Sequence, residues 1–130
     1  MFRVDDKPYG FEIAFTGFPR GEHISELSRE MQAAMERQRG PFGVLVDLRE
    51  TRTFPADAQE RLMELIAFCR QHGMNRNAVV LNSAITRIQA GRLAREGGIE
   101  DVRFFDAAEE PDWRRSAEEW LAEGRDQKAS

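Results

Sequence analysis

Cys69 and His72 stand three residues apart in "FCRQHG", a spacing at which a thiol and an imidazole on one helical turn could form a thiolate and its base. Asp47 closes the apolar run "FGVLVD", where a receiver-type phosphoacceptor carboxylate would stand. The turn "RETRTFPAD", from Arg49 to Asp57, leads into a helix amino end, a place suited to ligands, phosphates and regulatory modification. Arg87, Arg92 and Arg95, with Arg76 nearby in sequence, make a locally basic segment that an acidic partner or a phosphate could meet.

Each of these has a plainer alternative. Cys69 continues the apolar face of Ala58, Leu62, Leu65 and Ile66, and His72 falls at a helix end where a cation is favoured, so a core thiol and an end-of-helix imidazole are the stronger reading. Asp47 lacks a receiver's companions: Asp5 and Asp6 precede a turn in an apparent hairpin, and no Lys follows the strand "VRFFD". Asp47 is expected instead to accept backbone donors or to pair with Arg49 or Arg52. The arginines read as a solvated helix face whose stems cover apolar surface. The 2 histidines lie in separate elements without ligand-spaced partners, which argues against a metal site. "GFPRG" and "EGGIE" lack the spacing of a phosphate loop, and no Gly-x-Ser-x-Gly elbow occurs. The chain is therefore expected to be no enzyme, with no catalytic residue, metal or cofactor.

The elements that must carry these residues follow from hydrophobic periodicity. "FRVDDKPYGFEIAFTG" reads as two extended pieces broken at "KPYG", an opening hairpin. A helix from Glu22 to Arg39 places Ile24, Leu27, Met31, Ala34 and Met35 on one face and stops at Gly40 and Pro41. "FGVLVDL" is nearly continuous in apolar residues, as a central strand is. The helix that starts near Pro55 runs to a carboxyl cap at His72 and Gly73. Beyond it, "NAVVLN" is a strand, Ser83 can cap a helix through "AITRIQAGRLAREGG", "VRFFD" is a strand, and "WRRSAEEWLAEG" is a helix with Trp113, Ala117, Trp120 and Leu121 inward. Short connections between alternating strands and helices predict a single α/β domain over residues 1–124, with right-handed crossovers and a polar tail at 125–130.

At 130 residues the chain can bury roughly two thirds of its unfolded surface without a staple. Its 41% hydrophobic and 32% charged residues are ordinary for a globular protein, and a net charge of -4 disfavours nucleic acid and anionic membranes as partners. One Cys allows no intrachain disulfide, the amino end lacks a signal-peptide pattern, and no apolar run approaches the roughly 20 residues of a spanning helix, so no membrane insertion and a cytoplasmic protein are expected.

"FGVLVDLRETRTFPADAQERL", "RNAVVLNSAITR" and "VRFFDAAEEPDWRRSAEEWL", taken as a series from about Tyr9 to Leu121, resemble the SpoIIAA-like, or STAS/SEC14-like, family of small bacterial proteins. The resemblance implies a mixed, mostly parallel sheet of about five strands with an amino-terminal hairpin and four helices. In anti-anti-sigma members of the wider family an Asp-Ser-Ser-Gly motif opens the helix after the central strand, and a Ser there is phosphorylated to release a complex. Here "PADA" occupies that region and Asp57, beside Ala56, stands about where the Ser would be. A carboxylate cannot become a phosphoester, so Asp57 either favours the first helical turn or imitates a permanently phosphorylated state. Thr51 and Thr53 keep hydroxyls in the turn but do not match the phosphoacceptor position.

The resemblance implies a noncatalytic signalling or protein-interaction module that meets a protein partner through Arg49, Thr51, Arg52, Thr53 and Asp57, joined by Ser83 and Arg87. Its SEC14-like side implies the alternative of a small-molecule or lipid-binding module, against which stands the shortness of the chain, whose apolar positions are committed to packing. A homodimer is compatible with both, with Phe104, Phe105, Trp113 and Trp120 as aromatic candidates for an interface or, equally, for the core.

Overall fold

The computed structural model describes residues 1–124, so the predicted polar tail lies outside the described residues. The chain order is β1 (Phe2–Lys7), β2 (Gly10–Gly17), α1 (Gly21–Glu36), β3 (Phe42–Thr51), α2 (Ala56–Gln71), β4 (Met74–Leu81), α3 (Ala84–Glu96), β5 (Val102–Asp106) and α4 (Trp113–Glu123). The five strands form one sheet in the order β1-β2-β3-β4-β5, with β1 antiparallel to β2 and every other pair parallel. The expected single α/β domain with a hairpin and four helices is what forms.

Apolar spacing explains the layers. Ile24, Leu27, Met31, Ala34 and Met35 of α1 and Ala58, Leu65 and Cys69 of α2 pack with Phe11, Ile13, Phe15, Val44, Leu48, Val79 and Leu81 of the sheet. On the opposite face Trp113, Ala117, Trp120 and Leu121 of α4 cover Leu45, Ala78, Val80 and Phe105. Alternation along β3 sends Val44, Val46 and Leu48 to one layer and Leu45 to the other. The aromatic candidates for a homodimer interface are thus largely core: Phe105 of β5 with Trp113 and Trp120 of α4 lie between that helix and the sheet, and Phe104 packs against the larger layer.

Three boundaries differ from the sequence reading. α1 ends at Glu36 rather than Arg39, because Arg37 and Gln38 close back by i−3 hydrogen bonds to Ala34 and Met35. β4 begins at Met74 rather than Asn77, since Met74 already pairs with Phe42. β3 runs on through Arg49, Glu50 and Thr51, which had been assigned to the turn. After an irregularity between Ala14 and Thr16, Thr16 pairs with Glu50 and Gly17 with Thr51, and the Thr51 hydroxyl donates to the Phe15 carbonyl at 2.9 Å.

One close approach fixes the hairpin against the central strand. Gly10 has φ +148° and lies beside Gly43, and a Cβ on Gly10 would run into the Gly43 carbonyl. Gly43 in turn sits under Leu121, whose Cδ2 would be 3.0 Å from a Cβ there. Substituting Gly10→Ala is expected to lower stability by about 2–3 kcal/mol or more, from unfavourable φ plus the clash. A chemical-denaturation midpoint unchanged from wild type would show that β2 and β3 do not meet this closely.

Candidate functional site

Two features stand out: an apolar cavity inside the larger layer and a charged half-face beside α4. The cavity holds about 110 Å³ and lies between the sheet and the pair α2 and α3. Phe15, Val46 and Val79 line it from the sheet, Leu65 and Cys69 from α2, and Ala90 and Leu93 from α3. Its polar neighbours are few. Gln89 of α3 is committed at both ends: its Oε1 accepts from Phe54 N at 2.9 Å and its Nε2 donates to Phe54 O at 3.2 Å, which latches α3 to the segment between β3 and α2. Asn77 of β4 is 5% exposed and also lines the cavity. Its Nδ2 donates to Val44 O at 3.3 Å, while its Oδ1 is buried without a partner in the protein. Such an unsatisfied atom costs about 1–3 kcal/mol unless something else meets it.

Sequence reasoning missed this cavity and Asn77. The residues that line it are those it assigned correctly to a core, and periodicity says which way a side chain faces without saying whether the facing layers meet. The expectation that so short a chain has little volume left for a cavity of several hundred Å³ agrees with the 110 Å³ observed, which is room for a small apolar group.

The charged half-face covers β1 and β2 where α4 does not reach. Glu12 is 2% exposed, and Arg114 of α4 meets it at 2.9 Å, Arg3 of β1 at 3.0 Å and Lys7 at 3.8 Å. Next to it on β3, Asp47 is held by Arg49, whose Nη2 donates at 2.8 Å, and whose Nε and backbone N each donate at 3.0 Å. The guanidinium of Arg49 also lies 4.7 Å from the Trp113 ring centre, as does that of Arg114. Burial pushes the Asp47 pKa up, but the side-chain and backbone hydrogen bonds and the charge of Arg49 outweigh it, and the carboxyl ends below its ordinary value. This is the pairing expected for Asp47, with Arg49 as the partner.

The predicted interaction residues lie in β3, in the connection to α2, in the first turn of α2 and at the start of α3. Arg49 and Thr51 belong to β3, with Arg49 occupied by Asp47. Arg52 is exposed and Thr53 half-buried in the connection to α2, and Asp57 is exposed in the first turn of that helix, its Oδ1 accepting from Ala58 N at 2.9 Å. Ser83 caps α3, its Oγ accepting from Thr86 N at 3.4 Å, and Arg87 lies over the Phe104 ring at 3.9 Å. In the wider arginine set Arg76 donates to Leu121 O at 3.2 Å, and Arg92 pairs with Glu96 at 3.5 Å. Cys69 faces the cavity and burial pushes its thiol up to about 12, whereas His72 is exposed and stacks on Phe68 at 4.0 Å, so no thiolate–imidazole pair forms. Among the described residues no group of three His, Cys, Asp or Glu side chains could hold a metal ion, and no helix is long and apolar enough to cross a membrane.

Strand order, hairpin and helix placement together define the SpoIIAA-like fold. The chain is similar in structure to an uncharacterised protein of the DUF3478 family with a SpoIIAA-like fold from Shewanella loihica PV-4, at a TM-score of 0.65 and 19% sequence identity over 93% of this chain and 92% of that one. No family model matches the sequence, and no curated protein matches it.

A carboxyl whose folded pKa is depressed contributes stability that is present above its unfolded pKa and lost as pH falls through the folded one. Asp47 is such a group, so wild-type stability is expected to drop between about pH 6 and about pH 3 by more than that of Asp47→Asn, which lacks the contribution throughout. Equal slopes in urea-unfolding free energy across that range would remove Asp47 as a source of acid sensitivity.

Proposed function

We propose that this protein is a noncatalytic binding module that takes a small apolar molecule into the cavity between the sheet, α2 and α3. The cavity carries this reading. It is lined almost wholly by hydrocarbon and lies beneath a helix latched at Gln89. An unfilled volume of 110 Å³ costs a fold on the order of 2–3 kcal/mol, which an occupant of matching shape recovers. The size suits a single ring or a short branched chain rather than a whole lipid.

Toluene is the first probe. It is expected to raise the thermal midpoint of the wild-type chain, as any ligand that binds only the folded state does. Ala90→Leu, on the cavity wall, is expected to raise the unfolding free energy without ligand by about 0.5–1 kcal/mol through cavity filling, and the midpoint with it, and to abolish the response to toluene. A wild-type midpoint indifferent to saturating toluene would refute the reading.

A second reading, a protein-interaction module, is favoured by a different surface. Phe18 is 45% exposed in the connection after β2, and Ile85 and Ile88 are 67% and 72% exposed in the opening turns of α3. These follow the carboxyl ends of parallel strands, the same end as Arg52, and large apolar side chains so exposed are typical of contact surfaces. Native mass spectrometry of the tagged protein from its own cells is expected to show a stoichiometric polypeptide that Ile85→Ser with Ile88→Ser removes without shifting the thermal midpoint. A bound polypeptide retained in that double variant would place the contact elsewhere.

A further inference from the structure

The outward side of α3 is basic. Its sequence "AITRIQAGRLARE" holds three arginines and, before Glu96, no acid. Arg92 is committed, pairing with Glu96 at 3.5 Å and donating to Gln59 Oε1. Arg87 and Arg95 are exposed, and among the described residues neither guanidinium has a carboxylate partner. Yet the two are brought together. Positions 87, 91 and 95 follow one another at a helical turn, and a Cβ on Gly91 would lie 3.1 Å from Arg87 Nη1 and 3.5 Å from Arg95 Nη1. Both cations thus close over the one residue of the three that has no side chain. Gly91 lowers helix propensity there and leaves the space between the two groups open. Phe104 steadies Arg87, whose guanidinium lies 3.9 Å from its ring centre, a contact that holds the charge in place without neutralising it.

We propose that Arg87 and Arg95 together form a site for one phosphate monoester, carried as a phosphorylated side chain by a polypeptide whose apolar neighbours rest on Ile85 and Ile88. Resting on the protein-contact reading above, this names the chemistry of that partner. Two cations brought to one point repel each other unless an anion lies between them, and two positive charges are matched by one dianion. A phosphomonoester carries about −1.5 to −2 at neutral pH and offers three acceptor oxygens, whereas a carboxylate carries a single charge. Guanidinium forks suit phosphate oxygens in particular. Ile85 and Ile88, the two most exposed large apolar side chains among the described residues, lie on the same helix directly before and between these positions. A bilayer could present phosphate too, but it would face the whole chain with its net charge of -4, while a single phosphorylated side chain meets mainly the charge within a Debye length of about 8 Å.

The probes are a short peptide with phosphoserine between two leucines, the same peptide with serine or glutamate in that place, and vesicles containing phosphatidic acid, which carries the same monoester on a bilayer. Peptide binding to the full chain is read by titration calorimetry and vesicle binding by co-sedimentation. The phosphopeptide is expected to bind about tenfold more tightly than either analogue, and the vesicles not to bind. Arg87→Gln and Arg95→Gln are each expected to remove that preference while leaving the serine peptide unaffected, and the double variant to lose no more than either alone, because one anion is held by both. Arg39→Gln, at an exposed arginine elsewhere, is expected to change nothing. Ile85→Ser with Ile88→Ser is expected to weaken all three peptides alike. Equal affinity for phosphoserine and glutamate, or a preference that survives either arginine variant, overturns the phosphate site; if the isoleucine variant still weakens the peptides, the protein-contact reading stands without it. Vesicles bound in preference to the phosphopeptide overturn the polypeptide partner in favour of a membrane surface. No binding of any peptide overturns the phosphate site, and native mass spectrometry of the isoleucine variant then decides the contact reading on its own.

Discussion

Three consecutive right-handed crossovers between parallel strands that lie in chain order must all fall on the same side of a sheet. In this chain that rule puts α1, α2 and α3 together over one face and leaves α4 as the sole helix for the other. Both the cavity and the charged half-face follow from this division. Three helices spread over five strands meet the sheet with unequal closeness, and one helix cannot cover five strands at all.

On the α4 side the uncovered strands are closed by charge. Glu12 and Asp47 face the same way as Leu45, and what lies over them is a layer of cations from β1, β3 and α4. Arg114 joins the two halves, since it leaves the apolar footing of α4 at Trp113 to reach Glu12 across the sheet. Because these guanidinium groups remain partly in water, the ion pairs seal the face and fix the register of the hairpin more than they stabilise the fold. The tight stacking of Gly10, Gly43 and Leu121 brings α4 close enough for that reach.

The elements were legible in the sequence wherever one periodicity dominated. The inward set Trp113, Ala117, Trp120 and Leu121 is buried, and Ser83 caps its helix as its position before an apolar-periodic run suggests. Boundaries failed where pairing at a distance overrode local pattern: Arg49, Glu50 and Thr51 look like a polar turn, yet β2 offers Glu50 and Thr51 partners and all three remain strand. Asp47 was readable as a paired carboxylate, because Arg49 lies two residues away on the same strand face. Glu12 was not, because its cations come from residues 3, 7 and 114, and no spacing rule joins them. The free Oδ1 of Asn77 was equally hidden, since an Asn in a strand says nothing about which of its amide atoms the neighbouring strand will satisfy.

Asp57 has a structural account that needs no switch. Neither helix beside it carries a conventional oxygen cap: α2 starts after Pro55, and α1 starts after Arg20, whose backbone N–H is met by His23 Nδ1 at 2.9 Å. The Asp57 carboxylate lies in the first turn of α2 and against Gly21, the first residue of α1, so one negative charge serves the positive ends of two helix dipoles. Arg61, one turn along, ties the same two helices by donating to Ser25 Oγ at 2.8 Å. A Cβ on Gly21 would come 2.5 Å from Asp57 Oδ2, which leaves little room for a larger anion in that direction. Asp57 is thus held as a compact carboxylate between two helix ends.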